Sequence, residues 1–254
     1  MATTCPVGFN VDKLRQLVRA EYDRVAREPD GKFHFHRGPQ YAARMLRYDA
    51  HELAMIPEES TACFAGVGNP HRIGPIEAGE TILDVGCGAG MDVLLAAKRT
   101  GAMGRAIGVD MTPAMIERAK AAALKAGLWK TVKVRRGMAE ELPIESETID
   151  VVISNGALNL SAHKVRAFSE IFRVLCPGGR FYLADVSCSE SFRSPRAAMS
   201  ISGRPESVGL CRRRSFTSYL LRSVSPRARS SSASIATKAH PPKPNYRKIF
   251  ACRE

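Results

Sequence analysis

The sequence predicts an α/β fold built on a parallel sheet, and three observations carry that prediction. Between residues 77 and 188, short apolar runs alternate with helical stretches, the pattern of βαβ units. The first run leads through a glycine-rich loop into a helix, as Ile82-Leu83-Asp84-Val85-Gly86-Cys87-Gly88-Ala89-Gly90. The second run ends in an acid, Asp110, at the same end of the expected sheet. With 254 residues, 44% of them hydrophobic and 25% charged, the chain can bury a sizeable core and still carry an extension.

Three zones follow. Residues 1–76 read as a helical, loop-rich segment on the substrate side, a wall or lid. Within it, 11–26 sets Val11, Leu14, Leu17, Val18 and Tyr22 on one helical face, and 41–46 reads as a second short helix. Residues 77–188 form the expected ligand-binding domain. Its five strands fall at 81–85, 106–110, 132–136, 150–155 and 180–185. A helix is expected at 92–99. In the next one Thr112 stands as N-cap, Pro113 as first helical residue and Gly127 as the stop. The helix at 163–175 should end at Pro177-Gly178-Gly179.

Residues 189–254 differ in kind. They hold 14 Ser and 11 Arg, with Arg212-Arg213-Arg214 and Ser230-Ser231-Ser232 among them. Phe216, Tyr219, Leu220 and Val224 could make one short basic amphipathic helix. The rest reads as a disordered or incomplete C-terminus, the composition of a shifted reading frame or an unrelated extension. Such a tail would leave 180–185 as an uncovered sheet edge.

The formal charge of +13 belongs to that tail: residues 1–188 carry net +2 and residues 189–254 net +11. The pI therefore does not make the whole chain a nucleic-acid or membrane-surface binder, and the basic tail lacks the interleaved aromatics of a nucleic-acid binder. Seven cysteines, odd in number and without a Cys-x-x-Cys pair, do not form a disulfide or zinc framework and suit a reducing cytosol. The first ten residues lack the basic start and apolar stretch of a signal peptide, and no apolar run approaches the roughly 20 residues that span a bilayer. The expectation is a soluble, cytoplasmic protein with no membrane partner and no metal site. No internal repeat sets an oligomeric state.

A Gly-x-Gly-x-Gly loop alone would also suit a dinucleotide. Its neighbourhood separates the readings. The loop from Asp84 to Gly90, Gly108-Val109-Asp110, the acidic turn Gly137-Met138-Ala139-Glu140-Glu141-Leu142-Pro143 and Arg173-Val174-Leu175-Cys176-Pro177-Gly178-Gly179 together resemble a class I S-adenosylmethionine-dependent methyltransferase. The resemblance implies a Rossmann-like sheet and S-adenosylmethionine as methyl donor. Gly86, Gly88 and Gly90 would then pass close to the methionine moiety, with Asp84 anchoring the loop through a hydrogen bond. Asp110 would bind the ribose hydroxyls. Met111 would pack on the adenine or simply in the core, and Met138 and Ala139 would flank the adenine with Glu140 nearby. Asn155 would sit by the aminocarboxypropyl group.

A narrower resemblance, to arsenite methyltransferases, rests on Gly66-Val67-Gly68-Asn69-Pro70, on Val109-Asp110-Met111-Thr112-Pro113-Ala114-Met115 and on Ser154-Asn155-Gly156-Ala157-Leu158-Asn159-Leu160-Ser161. Trivalent arsenic wants soft thiolate ligands. Where the resemblance implies cysteines, this chain has Val67 and Gly156. Cys63 and Cys188 are the thiols that could approach instead. The acceptor is therefore expected to be a small molecule: arsenite by family, a quinone or other metabolite methylated on carbon or oxygen as the alternative. A catalytically impaired donor-binding protein is the third reading. His34 and His36 in Phe33-His34-Phe35-His36 would share one side of an extended segment, as substrate-site wall or plain packing, and His163 is a candidate base.

Overall fold

The computed structural model describes residues 10–186, 234–237 and 248–253. Its centre is a sheet of order β3-β2-β1-β4-β5-β7-β6. β1 (Thr81–Val85), β2 (Arg105–Asp110), β3 (Val132–Arg136), β4 (Ile149–Asn155) and β5 (Leu175–Asp185) run parallel. β7 (Lys248–Arg253) pairs antiparallel with β5, and β6 (Ser234–Thr237) pairs antiparallel with β7.

Two expectations change here. The edge at 180–185 is covered, because Phe181 to Asp185 pair in register with Cys252 to Lys248. The tail is likewise not wholly without structure, since two of its segments are strands. The amphipathic helix expected around Phe216 and Cys188 both lie outside the described residues. β5 also starts earlier than its apolar run suggested. Leu175 already pairs with Ile149, and the register shifts between Ile149 and Val151 before Arg180 resumes the ladder, so Pro177-Gly178-Gly179 occupies an irregularity inside the strand.

The alternation of apolar side chains explains the layers. On one face Leu83 and Val85 pack with Val109, Val152, Phe181 and Leu183 beneath α7 (Lys164–Val174), whose Phe168, Ile171 and Val174 point inward. On the other face Ile82, Val151, Ile153 and Tyr182 meet Ala96 of α5 (Met91–Thr100). α6 (Pro113–Lys125) lies beside it, contributing Ala122 and Ala123 to the cluster of Leu94 and Val132. Each fully buried Ile, Leu or Val contributes about 1.5–3 kcal/mol. Thr112 takes the N-cap position of α6 and Gly127 the left-handed position after its end, as the sequence signals said.

Ahead of the sheet come α1 (Val11–Arg27), α2 (Gly38–Leu46) and the short α3 (Ala50–Ala54) and α4 (Glu58–Thr61). α1 buries Leu14, Val18, Val25 and Ala26. Leu17, expected on the same face, is 46% exposed, because the buried stripe turns from Val18 toward Val25 and Ala26 rather than widening to Leu17. The segment is tied to the domain by Tyr182, whose hydroxyl donates to Pro75 O at 2.9 Å. No described helix is long and apolar enough to cross a membrane.

Candidate functional site

A cleft with about 1100 Å³ of empty space opens where β1 and β4 diverge in connection, at the carboxyl ends of the strands. Ligands of open α/β sheets bind at such a switch point. Nine of the ten residues expected at the site line this cleft; Gly90 does not. Gly90 is the N-cap of α5, with its N–H donated to Cys87 O at 2.9 Å, and it supports the loop from behind.

The glycine loop is built by backbone geometry. Gly86 stands at φ +78°, and a Cβ there would lie 2.3 Å from the Ala157 Cβ, so only glycine fits. Gly86 N and Cys87 N donate to Val109 O at 2.8 and 3.1 Å. Asp110 then fixes the loop's far side: its Oδ2 accepts from Gly88 N at 2.9 Å, and its Oδ1 accepts from Thr112 N at 2.8 Å.

Asp84 differs from the expectation. Its Oδ2 is buried without a hydrogen-bond partner, and its support comes from the backbone N–H of Val93 in α5, not from the glycine loop. Asp110 holds the loop in its place. Burial, with the charges of Asp92 and Asp110 beside it, pushes the Asp84 carboxyl well above the usual carboxylate range.

Asn155 also has a different task. Its Oδ1 accepts from Val67 N at 2.8 Å and Gly68 N at 3.1 Å. Its Nδ2 donates toward Gly68 O at 2.9 Å, the Tyr48 hydroxyl at 3.0 Å and Asp92 Oδ2 at 3.0 Å. An amide offers two lone pairs and two protons, so nothing is left to orient a ligand ammonium. Asn155 instead pins the 66–68 loop to the end of β4. Asp92 completes the knot, its Oδ1 accepting from the Tyr48 hydroxyl at 2.7 Å and lying 3.1 Å from His71 Nε2. Gly66 is required by this closeness, since a Cβ there would lie 2.4 Å from Asn155 Nδ2.

The opposite wall is the acidic turn. Leu142 N donates to Glu170 Oε2 at 2.8 Å, while Arg173 donates to the carbonyls of Leu142 and Ile144 and pairs with Glu170 at 2.7 Å. Glu140 is not a solvated turn residue. It is 8% exposed, accepts from Ser161 Oγ at 2.8 Å and lies 3.7 Å from Arg15. Glu141, by contrast, faces solvent, 3.9 Å from Arg166. Met138 and Ala139 line the cleft between them and Met111. Met111 lines the cleft and also packs with Leu14, Val18 and Ala162.

Residues not expected at the site complete the wall: Arg15, Val18 and Tyr22 from α1, and Thr112 and Met115 around the start of α6. The amphipathic stripe of α1 was the available signal for Val18 and Tyr22, and the motif running from Val109 to Met115 for Thr112 and Met115; nothing in the sequence pointed to Arg15. Cys63 and Cys87 also line the cleft, but burial raises both thiols above the ordinary range. Val67 and Gly156 are neighbours: a Cβ on Gly156 would lie 3.3 Å from Val67 Cγ1. His34 lies 3.9 Å from Glu21, and His36 stacks on Tyr41. His163 is exposed at the head of α7 and outside the cleft wall.

A family model described as a methyltransferase domain matches residues 76–207. The chain belongs to the methyltransferase-domain family. Among its relatives, the arsenite methyltransferase of Halobacterium salinarum is 43% identical over 141 residues, 56% of this chain and 36% of that protein. The demethylmenaquinone methyltransferase of Symbiobacterium thermophilum is 37% identical over 109 residues, 43% of each. The chain thus spans well under half the length of these methyltransferases. The crystal structure of an arsenic (III) S-adenosylmethionine methyltransferase from Chlamydomonas reinhardtii superposes with TM-score 0.63 at 27% identity, covering 80% of this chain and 70% of that one. The Rossmann-like methyltransferase fold is the fold of this chain.

Proposed function

We propose that the chain binds S-adenosylmethionine in this cleft and transfers its methyl group to a small-molecule acceptor. The observation that carries the reading is the convergence of the glycine loop, Asp110 and the Met138-Ala139 turn on one cleft of a methyltransferase-family domain. When bound, S-adenosylmethionine supplies an electrophilic methyl group on a sulfonium.

The chain's own residues would do the rest. Gly86 and Gly88 leave the loop backbone open to the ligand, and Asp110 accepts from ribose hydroxyls while holding the loop. Met111, Met138 and Ala139 offer apolar, polarisable surface to an adenine. Val18 and Tyr22 of α1 keep water from that surface, which fits a displacement catalysed by positioning and desolvation. The segment ahead of β1 supplies the acceptor side through the 66–68 loop. The cysteine usage of the sequence suits action in the reducing cytosol.

For the acceptor, the relatives support arsenite and the residues argue for an organic molecule. Val67 and Gly156 touch but bring no thiol, and the cleft's two cysteines are held away from the thiolate. Incubation with methyl-labelled donor plus arsenite and a thiol, against donor plus a demethylquinone, decides between the two. Label on the quinone and none on arsenic is the expected result. Efficient arsenite methylation would show that the thiol argument fails.

A further inference from the structure

Three carboxylates share the floor of the cleft, and they are not equally supplied with hydrogen bonds. Asp92, in the first turn of α5, takes the Tyr48 hydroxyl, the His71 ring nitrogen and the Asn155 amide. Asp110, at the end of β2, takes the backbone N–H groups of Gly88 and Thr112. Asp84, between them on β1, is 2% exposed with an orphaned Oδ2. Its one donor is the backbone N–H of Val93; a buried anion so thinly supplied is costly, and two anions beside it add repulsion.

The groups that face Asp84 offer no relief. The Tyr48 hydroxyl is committed to Asp92, and the Cys87 thiol, which itself feels Asp84 and Asp110, is held protonated by burial. Asn155 on β4 is neutral and fully used. Among the described residues the cleft wall has one cationic side chain, Arg15, and it lies 3.7 Å from Glu140. The burden therefore falls on the carboxyl with the fewest donors.

We infer that Asp84 carries a proton in the ligand-free protein and releases it to solvent when a cationic group of the ligand enters the cleft, so that binding exchanges H⁺ for a ligand cation. This rests on the donor-site reading above and adds its linkage. The balance is one proton lost from the Asp84 carboxyl to buffer for each ligand bound, with no bond to carbon made or broken. The sign follows: where free Asp84 is protonated, lowering pH opposes binding, by up to tenfold in apparent Kd per pH unit, and the dependence flattens above its free-state pKa. Burial and the neighbouring charges of Asp92 and Asp110 push the Asp84 carboxyl above the usual range, in the same direction.

Two measurements on the full chain test it. The first needs no ligand: in a carboxyl ¹³C NMR titration the Asp84 resonance, assigned by its disappearance in Asp84→Asn, should titrate above the ordinary aspartate range, separately from the Asp185 resonance, which is raised as well. An Asp84 resonance that titrates within the ordinary range overturns the proposal whatever binds. The second is calorimetry of S-adenosylmethionine in buffers of different ionisation enthalpy. About one proton should be released by the wild type and none by Asp84→Asn, which mimics the neutral carboxyl and should fold. Binding without release overturns the exchange while leaving the donor reading intact, and release that persists in Asp84→Asn assigns the proton elsewhere and overturns it too. Repeating the titration with S-adenosylhomocysteine, which keeps the ammonium but lacks the sulfonium, identifies the cation. Equal release points to the ammonium, and release with the sulfonium compound alone to the sulfonium.

Discussion

Replacing Gly66 with alanine should damage this protein more than a single methyl group would suggest. The added Cβ would stand 2.4 Å from Asn155 Nδ2, 2.6 Å from Asn155 Cγ and 2.5 Å from Phe64 Cζ. Real carbon contacts lie near 3.5–4.0 Å, so something must move by about an ångström. Asn155 cannot swing aside freely, because its amide is held by Val67, Gly68, Tyr48 and Asp92. Overpacking alone costs about 1–3 kcal/mol. Losing two of the amide's buried hydrogen bonds adds about 1 kcal/mol each. Together these come to about 3–5 kcal/mol, in the tail of single-substitution effects. Urea denaturation followed by circular dichroism should show the midpoint falling with the slope unchanged. In an Asn155→Ala background the cost of Gly66→Ala should shrink by at least about 1 kcal/mol, since the pinned amide is then gone. A Gly66→Ala protein within about 0.5 kcal/mol of wild type would refute the clamp, as would full additivity of the two substitutions.

Asp110→Ala should weaken S-adenosylmethionine binding by about 1–3 kcal/mol in calorimetry, because it removes the partner of Gly88 N together with the proposed acceptor for the ribose hydroxyls; unchanged affinity in a folded variant would count against the donor site. Asp185 accepts from Asn159 N and Val186 N, yet burial pushes its carboxyl to about 7. The folded chain then holds a proton that the unfolded chain has lost above about pH 4, so stability should fall as pH rises from about 4 to 7 and level off beyond. Asp185→Asn should remove up to about 4 kcal/mol of that slope, read from denaturation midpoints across pH, and a slope unchanged by the substitution would contradict it. Truncation after Val186 strips β7 from β5 and should promote aggregation in light scattering, while the remaining folded fraction binds the donor as before because the cleft wall ends at Ser161; loss of donor binding in that fraction would show that the tail reaches the site.

What was readable in the sequence was local. β1 and β3 fall where the sequence placed them: β1 as a short run buried on both faces and β3 as an alternating Val132-Lys133-Val134, each bounded by turns. The glycine loop and Asp110 belong to one stretch of chain, so their juxtaposition could be read from spacing. The Asn155 clamp could not, since its partners Val67, Gly68 and Tyr48 lie 87 to 107 residues away and two of them act through backbone atoms. A backbone N–H has no residue signature. The same holds for α1: its stripe was visible, but not that Val18 and Tyr22 would face a cleft formed by segments a hundred residues on. β7 was hidden for the opposite reason, because Ser/Arg-rich surroundings masked Lys248-Ile249-Phe250-Ala251-Cys252 as a strand.

The clamp also bears on how this chain relates to its arsenic-methylating relatives. Asn155, Gly66 and Gly68 match the resemblance, and together they set Val67 and Gly156 side by side. The scaffold that would hold two thiols next to each other is therefore built, while the thiols are not. A loss of the arsenite-binding pair does not require loss of the fold around it, because the clamp runs through the backbone of 67 and 68 and through Asn155, not through the side chains at 67 and 156. Neither residue takes part in the buried network by its side chain, but the two are not equally free to change: Gly156 stands at φ +74° with a Cβ there only 3.3 Å from Val67 Cγ1, so a side chain at 156 would be strained while one at 67 would not. The donor floor is constrained differently: Asp84 is buried beside the charges of Asp92 and Asp110, so altering either neighbour shifts Asp84. The physical expectation is a protein whose donor site is tied to neighbouring buried acids and whose acceptor side varies most readily at Val67, on a loop pinned through its backbone.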